Sequence, residues 1–229
     1  TVKIAATPTR FLVHNMPATP YLVLPEVSSE HRPFIPFGFE QPSTLCSNLV
    51  KIAPGATLLH FGVLSSTMHM AWVRTTCGRL KSDYRYSKDI VYNNFPWPDL
   101  GSTGLAPAQG PQSLEDENTE KNKALPGVAR SLAAIEIAAQ AVLDARAKFQ
   151  TGAHPASLAD LYDPLTTPPE LLRAHQKLDA AVDKAYEASG GKKSYKSDAE
   201  RVAFLFELYQ RTTSLLPADR AKPKRSKAS

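Results

Sequence analysis

The sequence predicts an α+β chain, with a mixed α/β segment over residues 1–100 followed by an α-helical bundle over residues 114–216. Three observations carry this. The composition changes near residue 100, from aromatic, Pro and β-branched residues to Ala, Leu and alternating charges. The first segment holds short apolar runs bounded by turn residues, whereas the second repeats its apolar residues at helical spacing. The join over residues 101–113 contains Gly101, Gly104, Pro107, Gly110 and Pro111, which is the composition of a linker.

In the first segment, Tyr21–Leu24, Phe34–Phe37 and Thr57–Phe61 read as strands, with Pro25, Pro33 and Pro36 pushing them towards sheet edges or ends. Residues Ser65 to Thr76 read as a helix, capped by Ser65 or Ser66 and ended by Gly78, with Met68, Trp72 and Val73 on one side. Arg79 to Tyr86 reads as one extended strand. Alternation then places Arg79, Lys81, Asp83 and Arg85 on one face and Leu80, Ser82, Tyr84 and Tyr86 on the other. Ile90–Tyr92 reads as a further short strand.

In the second segment, a helix from Gly127 to Phe149 buries a stripe of Leu132, Ile135, Ala139, Val142, the stem of Arg146, and Phe149. A short turn-like piece spans Ser157 to Pro164. A second helix starts after Pro168-Pro169 and buries Leu171, Leu178, Val182, Ala185 and Tyr186. A third, capped by Asp198, runs to about Leu216 with a stripe of Val202, Leu205, Tyr209 and Leu216. Residues 217–229 have the Lys/Arg/Pro/Ser composition of a disordered basic tail.

Bulk properties narrow the function. The chain has 229 residues, 42% of them hydrophobic, enough for a real core. No apolar run approaches the roughly twenty residues of a membrane helix, and no secretory leader is recognisable, so a cytoplasmic protein with no membrane partner is expected. The start, without Met and within structured-looking sequence, suggests a piece of a longer protein. Cys46 and Cys77 fit reduced, buried thiols. The charge of +5 is uneven: +3 over residues 1–100, −2 over 101–216 and +4 over 217–229. A basic first segment suits a polyanion partner without proving one.

No catalytic centre is legible. There is no glycine-rich phosphate or S-adenosylmethionine loop, and Asn94-Phe95-Pro96-Trp97 lacks the paired prolines of a base-gripping methyltransferase motif. Asp83 is the only acid on a convincing strand, which argues against a metal-dependent nuclease core. His60, His69 and His175 fit core or surface histidines better than ligands, so no metal and no cofactor is assigned to this stretch.

The charged strand remains. In the DNA major groove Lys or Arg donates to guanine O6 and N7, and Asp accepts from cytosine N4. Lys81 and Asp83, two positions apart and about 7 Å by strand rise, could hold a G·C pair from both sides. A solvated strand face with a Lys–Asp pair is the plainer alternative. Two other functions also fit these residues. The helical stripes could serve a protein-interaction module without DNA specificity, and Tyr84, Tyr86, Phe95 and Trp97 could stack on RNA bases.

Several blocks, in order, resemble one family. They are Pro25–Arg32, His60–Ser66, His69–Trp72, Cys77–Ser87 and Val91–Pro98, then Ser157–Pro164, Ala174-His175, Leu178–Asp183 and Ala185-Tyr186. Together they resemble the target-recognition and C-terminal helical regions of the MmeI-like restriction–modification enzymes, single chains that join a nuclease, an adenine-specific methyltransferase and a recognition domain. The resemblance implies base reading by Lys81, Asp83 and Arg85, with a further position near Asn48 or Leu49. Arg79 and Lys88 are candidate additional DNA contacts. It also implies double-stranded DNA as partner and a parent that makes N6-methyladenine from S-adenosylmethionine in a methyltransferase domain joined in cis. Whether that parent cleaves DNA stays open. The stretch itself is expected to carry no enzyme activity.

Overall fold

The computed structural model describes residues 16–100 and 126–214. The expected linker, the basic tail and Leu216 lie outside the described residues. The architecture is α+β, with small antiparallel sheets in the first part and helices dominating the second.

Two three-stranded antiparallel sheets form the first part. In one, β1 (Tyr21–Pro25) lies between β3 (Gly38–Glu40) and β4 (Val50–Pro54). In the other, β6 (Asp83–Arg85) lies between β2 (Val27–Ser28) and β5 (Gly78–Leu80). Pro25 and Pro54 each sit at a strand end, where a missing N–H costs least. Between the sheets in sequence come α1 (Leu58–Leu64) and α2 (Thr67–Thr76). The second part comprises α3 (Pro126–Phe149), the short α4 (Leu158–Leu161), α5 (Pro169–Tyr186) and α6 (Asp198–Thr213).

Four sequence expectations are corrected. Thr57–Phe61 is not a strand but the start of α1. Gly55, at φ +70°, turns the chain, and His60 Nδ1 accepts the Thr57 N–H at 3.2 Å. Leu59 through Leu64 are all buried, so this helix has no polar face to reveal its period. Phe34–Phe37 is a buried but unpaired segment. Pro33 and Pro36 supply no N–H, and pairing begins only at Gly38. Ile90–Tyr92 belongs to a π-helical turn, Lys88–Tyr92, capped by Ser87, whose Oγ accepts the Ile90 N–H. Arg79–Tyr86 is a hairpin rather than one strand.

Smaller boundaries also move. Ser66, not Ser65, caps α2, and Ser197, not Asp198, caps α6. Helix α2 ends at Thr76, so Gly78 opens β5 instead of closing the helix. Cys77 is buried and Cys46 half-buried, and both are free thiols.

One hydrophobic core runs through both parts. Helices α3 and α5 pack along each other, and α3 also packs on α1. That last contact requires Gly62: a Cβ there would lie 2.7 Å from Cγ2 of Ile135 and 3.2 Å from Cβ of Ala139. The expected stripes Ile135, Ala139, Val142 and Leu171, Leu178, Val182 are buried within the chain. On α2, Trp72 meets Phe206 and Tyr209 of α6, with ring centroids 5.2 and 6.0 Å apart. Asp179 of α5 accepts the Thr67 N–H at 2.7 Å, satisfying a free donor in the first turn of α2.

A buried polar network crosses the same seam. The Arg146 guanidinium, and not merely its stem, is inside. Its Nη1 donates to the Phe37 carbonyl at 2.5 Å and its Nε to the Tyr162 hydroxyl at 2.7 Å. His175 Nδ1 lies 3.2 Å from the Ser65 carbonyl, which can only accept, so Nδ1 carries the proton. Nε2 is then the acceptor for Tyr162, 2.7 Å away. Desolvation, with the Arg146 charge adding to it, holds His175 down to about 3, which keeps it neutral.

Candidate nucleic-acid interface

The hairpin is built from Cys77–Tyr86. Its register pairs Gly78 with Arg85, Arg79 with Tyr84, and Leu80 with Asp83, leaving Lys81-Ser82 as a two-residue loop. Lys81 has φ +57°, a left-handed conformation that such turns normally assign to Gly or Asn. The absence of a Gly or Asn at this point hid the turn from the sequence.

The turn redistributes the candidate side chains. Residues directly opposite in an antiparallel pair share a face. Asp83 and Arg85 therefore stay together on the outward face, as alternation predicted, joined by Leu80 and, across β2, by Val27. Arg79 is reversed onto the face of Tyr84, its guanidinium carbon 4.2 Å from that ring centroid. Its Nη1 donates to the Ser82 carbonyl at 2.9 Å and lies 3.9 Å from Glu30. Lys81 is exposed at the hairpin tip, so strand rise does not set its spacing from Asp83.

The inner face holds the hairpin in place. Tyr84 and Tyr86 are buried, and the Tyr86 hydroxyl lies 3.0 Å from Nε2 of His69 on α2. Burial pushes Tyr86 well up and His69 down to about 3, so both are neutral. The Phe37 ring meets Tyr86 edge-on at 5.7 Å. On the outer side, Asp83 Oδ1 accepts the Glu30 N–H at 3.3 Å, which orients the carboxylate.

Glu26 connects the remaining candidates to this sheet. Its N–H donates to the Leu49 carbonyl at 3.0 Å and its carbonyl accepts the Tyr86 N–H at 2.7 Å. Its carboxylate pairs with Lys51. Asn48 and Leu49, both exposed, thus sit beside the junction of the two sheets. Lys88 is exposed at the start of the π-helical turn, 3.6 Å from Asp89. The structure therefore groups Asp83 and Arg85 on one face, sets Lys81 at its tip, and places Asn48, Leu49 and Lys88 on neighbouring segments. Sequence reasoning passed over Val27 and Glu30, and it set Leu80 on the face of Tyr84 and Tyr86, whereas the turn places Leu80 opposite Asp83 on the outward face. The resemblance of the Pro25–Arg32 block was the available signal for the first two.

His60 and Trp97 pack edge-on, centroids 5.6 Å apart, and Phe95 lies against Trp97 at 5.4 Å. The Asn94–Trp97 stretch is thus largely core packing. Among the described residues, no group of three or more His, Cys, Asp or Glu is placed to hold a metal ion, and no helix is long and apolar enough to cross a membrane.

A sheet-borne charged hairpin and a helical part thus share one core in a two-part α+β module. Residues 1–99 match the family model "MmeI, target recognition domain", and residues 129–217 match "MmeI, C-terminal domain". The chain belongs to the MmeI family. It is 38% identical over 213 residues to DNA methyltransferase A of Bacillus subtilis (strain 168), a match covering 93% of this chain and 20% of that protein. The structure of the Type IIL restriction–modification enzyme MmeI in complex with DNA superposes with a TM-score of 0.71 at 43% identity, over 93% of this chain and 24% of the other. The chain thus spans about a fifth to a quarter of the length of these relatives.

Proposed function

We propose that this chain reads double-stranded DNA sequence for a restriction–modification methyltransferase. The observation that carries this is the outward face of the hairpin, where Asp83 and Arg85 are held side by side by buried Tyr84 and Tyr86, with Lys81 at the tip. A two-stranded ribbon fits the major groove. Asp83 would accept from cytosine N4, Lys81 would donate to guanine, and Arg85 would address a neighbouring pair, while Asn48 or Leu49 would face the groove from the adjoining loop. Arg79 and Lys88 would contact phosphates, which position the protein without selecting sequence. Kinship with MmeI, solved in complex with DNA, supports DNA as the partner.

The parent, on this proposal, is an adenine-N6 methyltransferase that takes its methyl group from S-adenosylmethionine in a domain joined to this chain in cis. The Bacillus subtilis relative named as a DNA methyltransferase supports the reaction class. Whether the parent also cleaves DNA is a separate question from methylation and is assayed on its own. Burial of the helical stripes inside the chain weighs against a protein-interaction role for them.

The test is selection from a randomised duplex pool with this chain at low salt. An enriched motif with an obligatory G·C pair, relaxed by Lys81→Ala or Asp83→Ala at a cost of about 1–3 kcal/mol at that position, is the expected result. Unchanged preference in both variants would falsify the assignment of the hairpin.

A further inference from the structure

The face that presents Asp83 and Arg85 is not wholly polar. Leu80 lies directly across from Asp83, and Val27 directly across from Arg85, on the same side of the sheet. Leu80 is 48% exposed and Val27 39% exposed. Neither joins the hydrophobic core, so neither is explained by folding. An outward sheet face in water ordinarily carries polar residues. Here charged and large apolar side chains alternate across the strands.

Cross-strand neighbours stand about 4.5–5.5 Å apart, and successive base pairs are about 3.4 Å apart along the duplex. A face that brings Asp83 and Arg85 to base edges therefore brings Leu80 and Val27 to the pairs one or two steps away. The apolar group that the major groove offers there is the C5-methyl of thymine. We propose that Leu80 and Val27 are further specificity-determining residues, each packing its methyl groups on a thymine C5-methyl beside the pairs addressed by Asp83 and Arg85. This rests on the DNA-reading function proposed above and adds the base class that two unassigned side chains select. It also explains their exposure, since the duplex would cover them.

The experiment uses the selected duplex and a copy in which each flanking thymine in turn is replaced by uracil. That change removes one methyl and leaves every hydrogen-bonding group in place. Losing one methyl contact weakens binding about fourfold, from about 0.8 kcal/mol per buried methyl-sized group. The expected result is a fourfold loss at one thymine that vanishes in Leu80→Ala, and a second that vanishes in Val27→Ala. An enriched motif with no neighbouring thymine, or uracil replacement without effect, overturns this proposal and leaves the DNA-reading function standing. Absence of any enriched motif overturns both. Because both side chains are exposed and outside the core, circular dichroism of the two variants should match the parent chain, and a thermal shift would count against the proposal.

Discussion

The Tyr86 hydroxyl lies 3.0 Å from His69 Nε2, and this buried contact ties the candidate base-reading hairpin to helix α2. Arg85 precedes Tyr86 and Asp83 lies two residues further back, so the bond sets the height at which both face outward. Tyr86→Phe removes the hydroxyl and leaves a buried imidazole nitrogen unpaired. The expected loss is about 1–3 kcal/mol of stability, read as a lower urea midpoint at unchanged m-value.

Lys81 adopts φ +57° at the hairpin tip, where glycine is at ease. Lys81→Gly should therefore stabilise the chain by about 1 kcal/mol, and, if Lys81 reads DNA as proposed, relax discrimination at its G·C pair. Strain retained at a position of use predicts opposite signs for the two readouts. A variant that lowers both the thermal midpoint and specificity would show that the turn tolerates lysine without strain.

Acid should destabilise the fold, but less steeply than its buried histidines alone dictate. Burial holds His69 and His175 down to about 3, against an ordinary 6.5. Between those values the unfolded chain binds more protons, so stability falls as pH drops. Asp179 is pushed by desolvation from 3.8 up to about 6. Between these values the folded chain holds the extra proton, and stability rises as pH drops. Two histidines outweigh one aspartate. Asp179→Asn keeps an acceptor for the Thr67 N–H and removes the opposing term. Its stability should then fall more steeply between about pH 6 and pH 4, by up to about 1.4 kcal/mol per pH unit, in urea titrations at stepped pH.

Gly62→Ala places a methyl 2.7 Å from Ile135 Cγ2. Overpacking of this kind costs about 1–3 kcal/mol. Ile135→Ala opens the space, so the double variant should lose less than the sum of the two single losses. Additive losses in a double-mutant cycle would place the strain elsewhere.

The helical part was legible because its stripes show. Ile135, Ala139 and Val142, then Leu171, Leu178 and Val182, fall at helical spacing because the opposite faces meet water. Helix α1 was not legible for the converse reason: Leu59 to Leu64 are buried on every side, and a short apolar run looks the same in a strand. The hairpin was hidden by Lys81, a residue that carries no turn signal. The pairing of Asp83 with Arg85 on one face survived that error, because their spacing of two lies within one strand. Arg79 did not, because it stands on the other side of the turn. The Glu26 bridge between the two sheets consists of backbone hydrogen bonds, which no side-chain pattern reports.

Arg146 donates to the carbonyl of Phe37 from a helix that begins at Pro126, 72 residues after the first sheet ends at Pro54. Transplanting specificity between related enzymes would accordingly fail at the obvious cut. A graft of residues 1–99 alone would set a foreign Phe37 carbonyl and Gly62 surface against a helix shaped for another partner. If the proposed base reading holds, the heritable cassette is instead either the few exposed side chains of the hairpin and its neighbouring loop, changed in place, or the two parts moved together.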